Sequence, residues 1–245
     1  MIRLKFRVSE TINNPLFSYI LLPIFYILIG TILSLTYSNL NFLSFFLLTT
    51  FVLINQVIEV NLKASLNEKK MLKKTLILIL EGLLLFNLTY FLIVHSVATF
   101  LLLLCYGILT QTVYFFKLYE LDLFSISIST VLKALLLNTI GFYIHTGFFS
   151  LVLLRFFIPL LIPIFLAETS ERNKAVKRSF EIQFMSIAYV LAIAMLWTNS
   201  TWLSLGMLLT VPALLLNPVK LTNLNKIILF FFDYAVILLL TYFFY

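Results

Sequence analysis

Residues 73–117 read KKTLILILEGLLLFNLTYFLIVHSVATFLLLLCYGILTQTVYFFK. Two apolar runs, at roughly 73–94 and 96–116, meet at His95-Ser96. Each is close to the ~20 residues that a helix needs to cross a hydrocarbon core of about 30 Å, at about 1.5 Å per residue. The turn between them carries no Lys, Arg, Asp or Glu, whereas Lys73, Lys74 and Lys117 stand at the outer ends. Two spans that place their charges on one side only are the pattern of a membrane helical hairpin.

The rest of the chain repeats this pattern. Apolar runs fall at roughly 17–37, 40–58, 73–94, 96–116, 122–144, 147–167, 182–198, 201–217 and 225–244. Nine transmembrane helices result, since backbone polar groups in lipid must be satisfied within each segment and barrel strands would be shorter and alternating. If the amino terminus is cytoplasmic, one set of loops and loop edges holds Lys63, Lys69, Lys70, Lys73, Lys74, Lys117, Arg172, Lys174, Lys177, Arg178, Lys220 and Lys226. The opposite turns, around 38–39, 95–96, 145–147 and 199–200, carry no charged side chain. This asymmetry predicts a multi-pass protein of the cell membrane with its amino terminus inside and its carboxyl terminus outside.

Composition agrees. Of 245 residues, 62% are hydrophobic and 11% charged, with mean hydropathy +1.08. A soluble domain carries about 25% charged residues, so the expected solvent is the lipid bilayer and the expected unit is a single polytopic domain over residues 1–245. The net charge of +7 is spread between apolar runs, which points to membrane orientation and away from a nucleic-acid surface. Arg3, Lys5 and Arg7 precede the first run without a small-residue cleavage site, so that run reads as a retained span. The single cysteine, Cys105, excludes an internal disulfide and reads as a packing or lipid-facing residue.

Two polar segments interrupt the pattern. The second run ends in Asn55-Gln56-Val57-Ile58-Glu59-Val60-Asn61-Leu62-Lys63, which puts Asn55, Glu59 and Lys63 on one helix face. The sixth run leads into Glu168-Thr169-Ser170-Glu171-Arg172-Asn173-Lys174-Ala175-Val176-Lys177-Arg178-Ser179, where Glu168 and Glu171 again share a face. Carboxylates on two facing helix ends suit Mg²⁺ shared with a diphosphate, with neighbouring cations on the phosphate oxygens. The same spacing also fits ordinary solvated helix ends at a membrane surface.

Taken together, the chain resembles the UbiA family of intramembrane prenyltransferases, which have nine helices and aspartate-rich motifs at the cytoplasmic ends of helices two and six. The family pattern Asn-Asp-x-x-Asp-x-x-x-Asp is matched at Asn55 and by Glu59 at the central acid, with Gln56 and Lys63 at the outer positions. Glu171-Arg172 follows the second motif's Asp-Arg, with Ala167 then at its first acid. In the other register, Lys177-Arg178-Ser179 follows Lys-Arg-Thr and Glu168 takes the first acid. Tyr143-Ile144-His145-Thr146-Gly147 and Leu203 to Leu216 are similar to stretches of the 1,4-dihydroxy-2-naphthoate prenyltransferases of menaquinone biosynthesis. The resemblance implies a UbiA-like bundle that transfers an alkyl group other than methyl, from an isoprenyl diphosphate to an aromatic or quinone-precursor acceptor. It implies Mg²⁺ at Glu59, Glu168 and Glu171, which would be the catalytic acids. Asn55, Lys63, Lys117, Arg172, Lys177 and Arg178 would bind the diphosphate. A non-catalytic UbiA-like isoprenoid-binding protein, or a transporter such as a six-span ABC-type permease subunit, are the competing expectations.

Four ionisable residues fall inside runs. Glu81 and Asp233 lie at roughly 12 Å depth, and Lys133 and Arg155 at roughly 17 Å. They are expected to face the bundle interior and pair, because an unpaired charge there costs several kcal/mol. Whether they line a substrate chamber or join helices is open from sequence. His95 and His145 belong to outer turns and read as interfacial. Pro159 and Pro163 predict an irregular sixth helix just before Glu168.

Overall fold

The structure, a computed structural model, describes residues 15–68, 74–119, 121–170, 178–197, 206–211 and 223–244. Among them there is no strand. The principal helices are α1 (Pro15–Ser34), α2 (Phe42–Glu68), α3 (Lys74–Val94), α4 (Val97–Leu118), α5 (Asp122–Val131), α6 (Leu137–Thr146), α7 (Leu154–Phe157), α8 (Leu161–Ser170), α9 (Arg178–Trp197) and α10 (Asn223–Phe244). A π-helical turn, Leu132–Leu136, joins α5 to α6 without a break. Five stretches are long and apolar enough to cross a membrane: Phe42–Leu62, Lys74–Val94, Asp122–Thr146, Leu151–Thr169 and Ser179–Trp197. Leu21–Ser34, Val97–Thr112 and Ile228–Tyr242 are shorter apolar helical stretches. The run expected at 201–217 falls largely outside the described residues.

The helices divide into two compact units. One comprises residues 14–132 and 136–149, and so holds α1 to α6. Its most extensive packing is α1 against α6. A side chain on Gly30 would put its Cβ 1.9 Å from the Asn138 carbonyl oxygen, and one on Gly141 would reach within 3.1 Å of the Ile27 carbonyl. The Gly30 N–H also donates to Asn138 Oδ1 at 2.9 Å. Two backbones therefore meet with only glycine between them, which is how helices pack where lipid removes the hydrophobic drive. α2 packs on α1, α3 and α4, and α4 packs on α5 and α6. Tyr26, Phe51, Phe91, Tyr106 and Phe142 fill this interior. The tight turn expected at 145–147 is present: Gly147 has φ +71°, which suits glycine, and its N–H donates to the Tyr143 carbonyl at 2.8 Å.

The other unit comprises Lys133–Leu135 and, among the described residues, the chain from Ser150 onward. Its sixth apolar run is not one regular helix. Turns of 3₁₀ helix at Leu151–Leu153 and Ile158–Leu160 flank α7, and α8 follows. Pro159 sits in the second of these turns, where its missing N–H removes an α-helical bond. The irregularity expected from Pro159 and Pro163 is thus found at the first of them. α8 packs against α9 and α10, and every residue from Leu161 to Thr169 is buried. Phe165 stacks on Phe184 of α9 with ring centroids 4.3 Å apart.

The outward faces are apolar. On α3, Leu78, Phe86 and Ile93 are 73%, 70% and 82% exposed. Large exposed apolar faces mark a protein whose surroundings are themselves apolar or are another protein. After α3, His95 Nε2 lies 2.8 Å from the Ser44 hydroxyl, and partial burial lowers the imidazole's pKa from its ordinary value.

Candidate functional site

α2 begins as an apolar helix and turns polar over its last third, yet it stays buried there. Asn55, Gln56 and Glu59 are only 1%, 3% and 4% exposed. Asn55 and Glu59 are one turn apart, so they share a face. The Asn55 amide donates to the Phe51 carbonyl at 2.9 Å, and no described residue donates to its Oδ1. Gly107 of α4 stands opposite: a Cβ there would lie 3.7 Å from Asn55 Oδ1 and 3.8 Å from the Phe51 ring. The absent side chain leaves room beside the asparagine. Beyond this buried patch, the Asn61 amide donates to the Val57 carbonyl at 2.8 Å. α2 continues past Lys63, whose side chain, like that of Lys117 on α4, lies outside the described residues. Solvated helix ends do not hide an amide pair and a carboxylate, so the surface reading of Asn55 and Glu59 gives way to a buried polar patch.

In the second unit, Glu168 lies near the carboxyl end of α8 and is fully buried. Lys133, equally buried on the π-helical turn, forms a salt bridge to Glu168 Oε1. A buried cation and anion in contact stabilise one another, and removing either leaves an uncompensated charge. Glu171, Arg172 and Lys177, also expected in the site, lie outside the described residues. Arg178 begins α9, but its side chain is outside as well. On the same helix, Glu181 is buried.

The four charges expected inside runs meet different fates. Lys133 finds a carboxylate, and it is that of Glu168 rather than that of Glu81 or Asp233. Glu81 accepts a hydrogen bond from the Gln111 amide at 2.6 Å. Asp233 is wholly buried on α10, and no described residue donates to either of its oxygens. Arg155 is half-buried on α7. A lysine amid apolar residues is the sequence signal for the Lys133 pair. It announces a partner without saying which acid supplies it.

Among the described residues, no three His, Cys, Asp or Glu side chains converge as a metal-binding group. What the unit of α1 to α6 does offer is a pair of hard oxygen donors, Asn55 Oδ1 and the Glu59 carboxylate, on one buried face. The chain matches no family model, no curated protein and no solved structure.

Proposed function

We propose that this chain is a UbiA-type intramembrane prenyltransferase, moving an isoprenoid chain from its diphosphate to a lipid-soluble aromatic or quinone-precursor acceptor. The observation that carries the reading is the burial of Asn55, Gln56 and Glu59 at the polar end of an otherwise apolar α2. Burying polar groups costs several kcal/mol unless each is hydrogen-bonded or ligated, and Asn55 Oδ1, which accepts no hydrogen bond from a described residue, is open to a ligand. In this reading nine spans cross the cell membrane, the amino terminus is cytoplasmic, and α2 delivers its polar patch to the cytoplasmic side.

The roles follow from chemistry. Asn55 and Glu59 present oxygen atoms that suit Mg²⁺, with Glu171 and Glu168 as the acids of the second motif. A bound Mg²⁺ would neutralise charge that develops on the departing diphosphate. Lys63, Lys117, Arg172, Lys177 and Arg178 would hold the phosphate oxygens through charge-assisted hydrogen bonds. Apolar helices would keep water from the allylic centre, so that the aromatic acceptor and not water attacks it.

A second reading has its own support. Lys133 neutralises Glu168, and a carboxylate engaged by an ammonium is a poorer metal ligand. A protein that binds an isoprenyl diphosphate without turning it over fits that pairing.

The test uses purified protein with geranylgeranyl or longer diphosphates, a naphthoate or hydroxybenzoate acceptor, and Mg²⁺ or EDTA. Prenyl transfer is expected with Mg²⁺ and not with EDTA, and Glu59→Gln together with Glu171→Gln should lower it about a hundredfold. Activity indifferent to both substitutions would remove the metal assignment. Diphosphate binding without turnover would select the non-catalytic reading. Binding of neither substrate would direct the question to transport.

A further inference from the structure

Asp233 stands apart from the groups used above. It occupies the middle of α10, is 0% exposed, and receives no hydrogen bond on either oxygen from any described residue. Its surroundings are the apolar core of its unit, with Phe230, Tyr234 and Ile237 buried on the same helix. An ionised carboxylate in such surroundings, with neither donor nor cation among the described residues, is among the costliest groups that a protein can bury.

The elements around it supply little relief. α10 packs against α8, the 3₁₀ turn Ile158–Leu160 and the 3₁₀ turn Met207–Thr210. Neither 3₁₀ turn carries a titratable side chain. On α8 the acid is Glu168, which Lys133 already neutralises. From α9, the Tyr189 hydroxyl lies within electrostatic reach of Asp233, but it donates to the Thr210 carbonyl. The Thr210 hydroxyl in turn donates to the Met207 carbonyl at 2.7 Å. Both of these hydroxyls have thus spent their protons on backbone carbonyls, and neither donates to Asp233.

We infer that Asp233 is a proton-binding site: a carboxylic acid held inside the helical bundle, whose proton is the ligand that completes the site. A metal cation would need about six oxygen ligands, far more than one carboxylate and two committed hydroxyls provide. A proton needs only one carboxylate oxygen. The site is independent of the proposed diphosphate chemistry, so it stands whether or not prenyl transfer is found.

Dicyclohexylcarbodiimide tests this, because the O–H of a protonated carboxyl adds across its C=N bond to give an O-acylisourea, which in an apolar setting rearranges by an oxygen-to-nitrogen acyl shift to a stable N-acylurea. The purified full chain in detergent is treated at several pH values and digested, and adducts are located by mass spectrometry. Asp233 should be modified in preference to the ion-paired Glu168, with less adduct as pH rises, and Asp233→Asn should remove that adduct alone. Because the wild type itself is mapped, the result does not depend on the variant folding. An adduct on Glu168 with none on Asp233 would overturn the inference. So would protection of Asp233 by sodium at constant pH, which would place a metal cation there instead.

Discussion

Glu168 and Asp233 are acids buried in the same unit, on helices that pack against each other, yet they are held in opposite ways. Glu168 has an ammonium group brought to it by Lys133. Asp233 has no donor among the described residues. The ion pair resolves its electrostatic cost within the protein, whereas the single acid must resolve its cost with something from outside. The first is therefore expected to depend on its partner for stability and the second to behave as a proton-binding group.

Breaking the pair gives the largest expected effect. Lys133→Ala strands the Glu168 charge and should cost about 3–5 kcal/mol, read as a large loss of thermal stability in detergent. Replacing both partners by methionine removes both charges and should recover most of that loss. If Lys133→Ala alone leaves the melting temperature unchanged, Glu168 is not dependent on the pair.

Asp233→Asn sharpens the contrast. The amide mimics the size and neutrality of the carboxylic acid, so stability should change by no more than about 1 kcal/mol. Equal losses from Lys133→Ala and Asp233→Asn would erase the distinction between the two sites.

The smallest effect belongs to His95, in the other unit. Its folded-state pKa lies below the ordinary 6.5, so the unfolded chain binds the proton first as pH falls. Stability is then lost as pH falls from about neutral through 6.5 and on toward the folded-state value. His95→Gln should flatten that part of a stability–pH profile while leaving the Lys133 and Asp233 effects intact. An unchanged acid limb would show that His95 does not contribute.

The sequence carried the helical architecture well, because lipid-length apolar runs and prolines act locally. The described helices follow the expected runs, Pro159 marks the irregular sixth run, and Gly147 makes the expected turn. Contacts between distant residues were less legible. Nothing local to Asn138 says that its amide oxygen will meet Gly30, 108 positions away. Nothing local to Lys133 selects Glu168 over Asp233 or Glu81. At the candidate site, the shared face of Asn55 and Glu59 follows from spacing alone. The burial of Asn55 involves what α4 lays beside it, including the small residue Gly107. The Lys133 partner of Glu168 is illegible for the same reason, since it comes from a π-helical turn 35 positions away.

The central claim, that the polar end of α2 serves an isoprenyl diphosphate, is tested most directly by equilibrium binding of geranylgeranyl diphosphate to the full chain in lipid nanodiscs. Wild type should bind in Mg²⁺ and lose at least about tenfold in affinity, or about 1.4 kcal/mol, both in EDTA and in Glu59→Gln. Affinity that is the same in Mg²⁺, in EDTA and in Glu59→Gln would contradict it.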